Sequence, residues 1–355
     1  MTTHLGDLLA ELGTETASAT TARGRAAGLA EQGRLADAVM YGSAANRRWP
    51  DAQLELQLVQ WRWQAFRDGT VSGRAADLPE PPNDLFPPRV TDPLPEIPVH
   101  DLSVTAVAAA IHHRGSLIVR GVLPAAGAAA LVDDIDRAFA ASAQAREGAP
   151  IEVTAPWYAP LDPKSRVLAR KRHVVERWNN AILLGDSPRV LFNVLEWFER
   201  AGIVALVEEY LGERPVLSVE KGTLRRVAPG TNGEWHQDGR FLGQDIRALN
   251  VWVALSDCGV DAPGLDVLSR RLPFLVQSGT AGTSRSWTVS DAEVNAVADG
   301  APIVTPHFRA GDAAIFDQLM LHRTAGRASQ TKSRWAIECW FFGPSRMPHH
   351  HALVV

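Results

Sequence analysis

The chain is poor in several residue types, and each scarcity narrows what it can be. It holds two cysteines, Cys258 and Cys339, in 355 residues. That is too few for a disulfide framework, and both lie in strand-like runs, so buried reduced thiols in a cytoplasmic protein are expected. Lysine is scarce, four against thirty-two arginines. A net charge of −4 and a pI near 6.3 disfavour nucleic acid or an anionic membrane as partner. No apolar run approaches the ~20 residues that cross a bilayer. The opening, Met1-Thr2-Thr3-His4-Leu5-Gly6-Asp7, lacks a basic region followed by an apolar segment, so no secretory signal is expected. What remains is ordinary globular composition, 46% hydrophobic and 21% charged, with enough chain for one large domain and an extension.

Proline divides the chain. Eight of the twenty residues from Pro79 to Pro98 are proline, which excludes helix and central strand and predicts an extended connector over 79–98. Ahead of it lies an N-terminal helical extension, 1–78, with helices predicted over 22–31, 34–46 and 51–67. Residues Leu29–Ala38 faintly resemble one tetratricopeptide-type hairpin, but a lone hairpin cannot stack into a solenoid. The extension is therefore expected to be a flap that buries Trp49, Trp61, Trp63 and Phe66 on the main domain or on a second subunit of a homo-oligomer, rather than a docking module for another protein. The main domain, 99–347, begins with helix 104–113, strand 116–121 and helix 125–141. His112-His113 ends the first of these helices, where a cation meets exposed carbonyls favourably. An irregular, lid-like insert over 145–185 follows.

Helices over 189–201 and 204–211 lead into strands at 215–227, 248–255, 265–268, 301–305, 313–321 and 334–342, with a surface excursion at 278–299. Short strands punctuated by Gly and Pro predict a mostly β core with flanking helices, a double-sheet jelly roll or double-stranded β-helix of the cupin kind. The tail, 348–355, carries His349-His350-His351, three adjacent histidines expected to be solvated.

The chemistry is concentrated in Glu-Trp-His-Gln-Asp-Gly-Arg, residues 234–240. Along a strand, side chains at i and i+2 share a face, so His236 and Asp238 can grip one metal ion together. Alone, His-x-Asp is as well explained by hydrogen-bonded residues at a strand end. Its context is more specific. Gly311-Asp312 opens the run Ala313–Leu321, which delivers His322, and two imidazoles with one carboxylate on one side of an ion suit non-haem Fe(II) with open positions. Twelve residues beyond His322 comes Arg334, within Ser-Arg-Trp-Ala-Ile-Glu-Cys-Trp-Phe-Phe, a run of strong β character. A buried guanidinium one strand after a metal site is what a dicarboxylate keto acid needs for its far end.

From Trp235 to Pro344 the chain resembles the phytanoyl-CoA dioxygenase family of Fe(II)/2-oxoglutarate oxygenases. The matching segments are Trp-His-Gln-Asp (235–238), Leu-Asn-Val-Trp-Val-Ala-Leu-Ser-Asp-Cys (249–258), Ala-Pro-Gly-Leu-Asp-Val-Leu (262–268), Gly-Asp-Ala-Ala-Ile-Phe (311–316), Leu-His-Arg-Thr-Ala-Gly (321–326) and the Arg334 strand. A weaker likeness reaches back to about Val99. The resemblance implies that His236, Asp238 and His322 ligate iron, that Arg334 with Thr324 binds the distal carboxylate of 2-oxoglutarate, and that Trp252 lies beside this co-substrate. Alternation puts Asn250 on the face of Trp252, where a buried amide needs partners that a metal cavity would supply. The cofactors so implied are Fe(II), 2-oxoglutarate as co-substrate, and O2. Where many members have Gly-Ser-His, this chain has Ser269-Arg270-Arg271, which implies an altered active-site rim. Related halogenases carry a small residue where Asp238 stands, so hydroxylation or another oxygen-type outcome is favoured over halogenation.

The substrate is expected to be a small molecule, free or carried on coenzyme A or a carrier protein. The arginine- and alanine-rich composition fits a GC-rich bacterial genome and a natural-product pathway. Arg172, in the basic run of the insert, and Trp178 and Asn179 are candidate substrate contacts. Two other functions fit the triad: a Zn(II)- or Mn(II)-dependent hydrolase or isomerase on the same barrel, and a non-catalytic metabolite-binding relative. Neither gives Arg334 and Thr324 a reason.

Overall fold

The computed structural model describes residues 5–13, 18–69, 77–87, 93–348 and 350–355. Its organising element is the strand Ala248–Ala254, in which all seven residues are buried. A strand buried on both faces must be covered on both. Leu249, Val251 and Val253 face one apolar cluster with Ile315, Ile337 and Phe341. Trp252 and Ala254 face another with Phe316, Ala336, Trp340 and Phe342. Helices cover the first face, and a second sheet covers the other.

In chain order the strands are β1 (Glu96–Pro98), β2 (Ser116–Arg120), β3 (Ala181–Leu183), β4 (Val216–Ser218), β5 (Thr223–Val227), β6 (Ala248–Ala254), β7 (Gly264–Leu268), β8 (Ile303–Val304), β9 (Ala313–Phe316), β10 (His322–Ala325), β11 (Arg334–Phe342) and β12 (Ala352–Val354). The main sheet runs β1-β2-β9-β6-β11-β4-β12, with β5 also on β11 and β3 on β5. The smaller sheet is β10-β7-β8. The single bridges His236–His322 and Trp235–Val289 add a partial fourth strand to it. Two sheets face to face around a buried interior, flanked by helices, make the double-stranded β-helix that the strand pattern predicts.

The helices are α1 (Leu5–Glu11), α2 (Ala19–Glu31), α3 (Leu35–Arg48), α4 (Ala52–Arg67), α5 (Val104–Arg114), α6 (Ala125–Arg146), α7 (Ile151–Thr154), α8 (Arg166–Asn179), α9 (Pro188–Arg200), α10 (Ile203–Leu211), α11 (Gly239–Leu242) and α12 (Asp291–Ala298). Helices α5, α6, α9 and α10 supply much of the apolar cover of the main sheet. Among the described residues no helix is long and apolar enough to cross a membrane.

Four expectations change in detail. The strand predicted over 215–227 is two strands joined by a turn at Val219–Gly222. The strand predicted over 313–321 ends at Phe316, because the chain must leave one sheet for the other before His322. Asp317 holds that crossing by accepting from Leu319 N at 2.9 Å and from Arg271 at 2.6 Å. The connector's last residues form β1, parallel to β2; residues 88–92 lie outside the description. The tail is an ordered strand on β4, and His351 stacks on Trp63 with ring centroids 6.4 Å apart. His349 is outside the description.

Gly311 shows why a glycine precedes β9. Its φ is +95°, and a Cβ there would meet Leu123 O at 2.0 Å, which no L side chain tolerates.

The N-terminal helices pack on their own chain. Helix α4 lies against α9 and β12, and the fully buried Glu55 carboxylate accepts from Arg189 Nε at 2.6 and 2.7 Å and from Asn46 at 3.0 Å. Burial raises the Glu55 carboxyl above its ordinary range, against the opposing pull of Arg189 and Asn46. Removing one partner of such a pair strands the other. Arg189→Leu is expected to cost about 3 kcal/mol in urea unfolding, and Arg189→Leu with Glu55→Leu to recover much of that loss.

Candidate metal centre

Both histidines of the predicted triad are placed by the smaller sheet. His236 and His322 exchange backbone hydrogen bonds, His236 N to His322 O at 3.0 Å and His322 N to His236 O at 3.1 Å. Their rings approach to 4.3 Å between centroids. Each Nδ1 lies against the carbonyl two residues back, Glu234 O at 2.9 Å and Met320 O at 3.0 Å. A carbonyl only accepts, so each Nδ1 carries the proton and each Nε2 lone pair is left for a metal. Burial, reinforced by His322, pushes His236 down to about 3. It is therefore the neutral imidazole a metal requires.

Asp238 reaches the same point by another route than the strand alternation invoked for it. Pairing stops at His236, and Asp238 precedes the single turn α11 with helical φ of −64° and ψ of −24°. Gly239 lets that turn dock: its N–H donates to Gln318 O at 2.8 Å, and a Cβ would meet Leu275 at 2.8 Å. One donor atom from each of His236, Asp238 and His322 lies within 4.8 Å of the other two. Asp238 Oδ2 is buried, has no hydrogen-bond partner among the described residues and lies 3.9 Å from His322 Nε2. Two free imidazole nitrogens and an unpaired carboxylate oxygen facing one point fit a divalent metal ion.

Two further residues shape this centre without having been singled out from the sequence. Lys221, in the turn between β4 and β5, places Nζ 3.2 Å from Asp238 Oδ1 and 4.0 Å from the centre of the Phe241 ring. Burial works to raise Asp238, yet Lys221 and the two imidazoles outweigh it and hold the carboxyl below its usual range. Gln237, between the two ligands and 2% exposed, turns the opposite way. It donates to Phe274 O at 3.0 Å and Leu319 O at 2.8 Å and accepts from Val276 N at 2.7 Å. Its position carried a signal, since a residue between two inward ligands must point outward. Lys221 carried none, because it lay inside a predicted strand.

The predicted co-substrate residues lie on the inner face of the two sheets. Arg334 is fully buried on β11. Its Nη1 donates to Gly264 O at 2.8 Å and Pro263 O at 3.2 Å, while Nε and Nη2 have no partner among the described residues. Burial, with Arg225 acting the same way, pushes Arg334 down to about 10, so it remains a cation in want of an anion. Trp252 lies beneath it, the guanidinium carbon 5.4 Å from the ring centre. Asn250 is 0% exposed, and neither amide atom has a partner among the described residues. Trp252 and Thr324 line a cavity of about 860 Å³ that also holds the three ligands. Unsatisfied buried donors beside a metal centre are the fit that a dicarboxylate keto acid would complete.

The expected substrate contacts fare differently. On α8, Arg172 shares the buried stripe of Leu168 and Val175. Its guanidinium is committed to Asp186, at 2.5 and 2.9 Å, and to Leu161 O. Arg172 is thus a structural cation, and its neighbours Arg170 and Lys171 line the cavity instead. The side chains of Trp178 and Asn179 lie outside the description. Nor do Ser269, Arg270 and Arg271 shape a substrate rim: Ser269 accepts from Arg114 at 2.7 Å, Arg270 reaches Val297 O at 3.0 Å, and Arg271 holds Asp317.

The family model described as phytanoyl-CoA dioxygenase matches residues 111–336. No curated protein matches the chain. Among solved structures, EctD from S. alaskensis with 2-oxoglutarate and 5-hydroxyectoine is 17% identical, over 78% of this chain and 86% of that one, with a TM-score of 0.48. EvdO2 from Micromonospora carbonacea var. aurantiaca complexed with 2-oxoglutarate is 15% identical, over 66% and 88%, with a TM-score of 0.44. The carbocyclase SnoK from nogalamycin biosynthesis is 15% identical, over 69% and 85%, with a TM-score of 0.45.

The geometry separates ligand from support. In anaerobic Fe(II) titrations, Asp238→Ala is expected to weaken binding by at least about a hundredfold, and Gln237→Leu, which only loosens the loops, by about tenfold. Equal effects of the two changes would remove the distinction.

Proposed function

Because the chain belongs to the phytanoyl-CoA dioxygenase family, we propose that it is an Fe(II)- and 2-oxoglutarate-dependent oxygenase. Its reaction is hydroxylation of an unactivated C–H bond in a small metabolite, such as a natural-product intermediate, free or carried on coenzyme A or a carrier protein. The observation that carries this reading is the pairing of two sets of unsatisfied donors in one interior. The unpartnered Asp238 Oδ2 stands with the His236 and His322 nitrogens, and the buried Arg334 has Nε and Nη2 unpartnered. A Lewis-acid hydrolase would use the first set and leave the second unexplained.

His236, Asp238 and His322 would hold the iron on one side, leaving the cavity side for co-substrate and O2. Iron held there would supply the coupling of 2-oxoglutarate decarboxylation to O2 reduction, with one oxygen atom going to succinate beside released CO2 and the other to the substrate hydroxyl. Arg334 receives the far carboxylate of the keto acid through its free edge, and a planar fork suits that task better than a point charge. Trp252 walls the chain of the keto acid, and the Thr324 hydroxyl adds a donor on the adjoining strand. Trp287 stands edge-on to His236 at 5.7 Å between centroids and packs on Phe241, so both rings border the metal point. Asp238 fills the position that a halide would need, which favours hydroxyl over halogen transfer.

Anaerobic addition of Fe(II) and then 2-oxoglutarate should give the weak visible charge-transfer band of a chelated keto acid. Arg334→Ala should raise the co-substrate Kd by about thirtyfold or more, as expected for stranding a buried charge. Absence of the band, with tight Zn(II) or Mn(II) binding, would replace this reading with Lewis-acid chemistry.

A further inference from the structure

The cavity above the metal centre has a charge that its known residents do not balance. Seven cationic side chains line it against four carboxylates, in a chain whose net charge is −4. All four carboxylates are already engaged. Asp238 faces the metal point and Lys221. Glu220 meets His351 at 3.3 Å, Glu234 accepts from Ser284 at 2.6 and 2.9 Å, and Glu338 accepts from Thr223 at 3.1 Å. Most of the cations are engaged too: Lys221 with Asp238, Arg225 with Glu338 at 3.8 Å and Arg226 with Asp136, while Arg177 and Arg285 have interactions of their own. Arg170 and Lys171 on α8, by contrast, have no hydrogen bond or ion pair among the described residues. A divalent iron and doubly charged 2-oxoglutarate cancel one another, so loading the centre leaves this excess in place. Iron on Asp238 also takes up the charge that Lys221 now faces.

Burial first, then Lys221 and Arg170 against the opposing Glu220, depress Lys171 below the usual lysine range. Like charges are thus held together at some cost, which an anion between them would relieve.

The part of the lining around Lys221 has a different character. Phe241 and Trp287 meet edge to face at 5.9 Å between centroids, and Phe241 is 43% exposed. Val174, on the cationic helix, is a further large apolar side chain at the opening, 41% exposed. An aromatic pair, one ring exposed and the other half-buried, with Lys221 and Arg285 over its rings and the unpaired Arg170 and Lys171 in the same cavity, is a surface for a flat apolar body ending in an oxyanion.

We propose that the substrate is such a molecule, its carboxylate or phosphate seated by Arg170, Lys171 and Lys221 and its apolar body lying on Phe241 and Trp287. This names the substrate class of the oxygenase site and rests on that reading. The excess positive potential draws the anion in, and the two walls set which end of the molecule enters first.

The test uses protein loaded anaerobically with Fe(II) and 2-oxoglutarate, titrated calorimetrically with 1-naphthoate, 1-naphthyl phosphate and the neutral 1-naphthalenemethanol. At least one anion should bind about tenfold or more tightly than the alcohol, with an advantage that shrinks as salt rises. Arg170→Ser with Lys171→Ser should abolish that advantage, while Trp287→Ala should weaken all three probes alike. The ratio between the two anions tells a carboxylate substrate from a phosphate-bearing or phosphate-tethered one. An alcohol that binds as well as both anions, or a preference that survives the double substitution, overturns the proposal. The charge-transfer band in the same samples keeps the two readings apart. A band without anion preference sinks the anion seat alone, and anion preference without a band leaves the seat standing and sinks the oxygenase.

Discussion

Two backbone hydrogen bonds between His236 and His322 fix the centre around which the rest is arranged. They join segments far apart in sequence, and through them the loop before α11 becomes part of the smaller sheet. Because each histidine also binds the carbonyl two residues behind it, ring orientation and tautomer follow from the backbone. Asp238 needs only one helical turn to reach the same point. The closure of the double-stranded β-helix and the assembly of the metal site are one event, since neither histidine has a defined position until the two strands meet.

The ligands and Arg334 were legible because their chemistry is rare and their order along the chain is informative. The alternation in Ala248–Ala254 was equally plain, since period two is a local property of a strand. What escaped was set by tertiary geometry. Nothing local says that 313–321 must break at Asp317 to change sheets, or that 215–227 must turn at Val219–Gly222 and so bring Lys221 to Asp238. Arg172 was misplaced for a related reason. Within Arg170-Lys171-Arg172 composition is uniform, and only the phase of the buried stripe through Leu168 and Val175 decides which cation goes inward. Trp287 lay in the segment read as a surface excursion and Phe241 in a stretch between predicted strands, where periodicity gives no signal.

The interior shows how a protein keeps charged groups apart from the solvent that would satisfy them. Arg334, Asn250 and Asp238 Oδ2 each hold hydrogen-bonding capacity unused by the chain. Such groups cost stability wherever they are buried, and they are concentrated where small polar molecules would meet them. Unpartnered buried atoms also occur outside it, at Gln57, Trp63 and Ser116, but those are neutral groups. Charge buried elsewhere includes the pairs Glu55 with Arg189 and Asp186 with Arg172.

The strand β12 lies between β4 and the N-terminal helix α4, with Arg62 donating to Val354 O at 2.7 Å and Trp63 stacked on His351. A chain is made from its N-terminus, and domains generally fold as they emerge. Here α3 and α9 cover part of α4, but the strand that completes the cover lies nearly three hundred residues downstream. Until β12 has been made, the α4 face that carries Trp63 lacks the strand and the His351 ring that finally cover it. During synthesis that face is open to chaperones and to self-association.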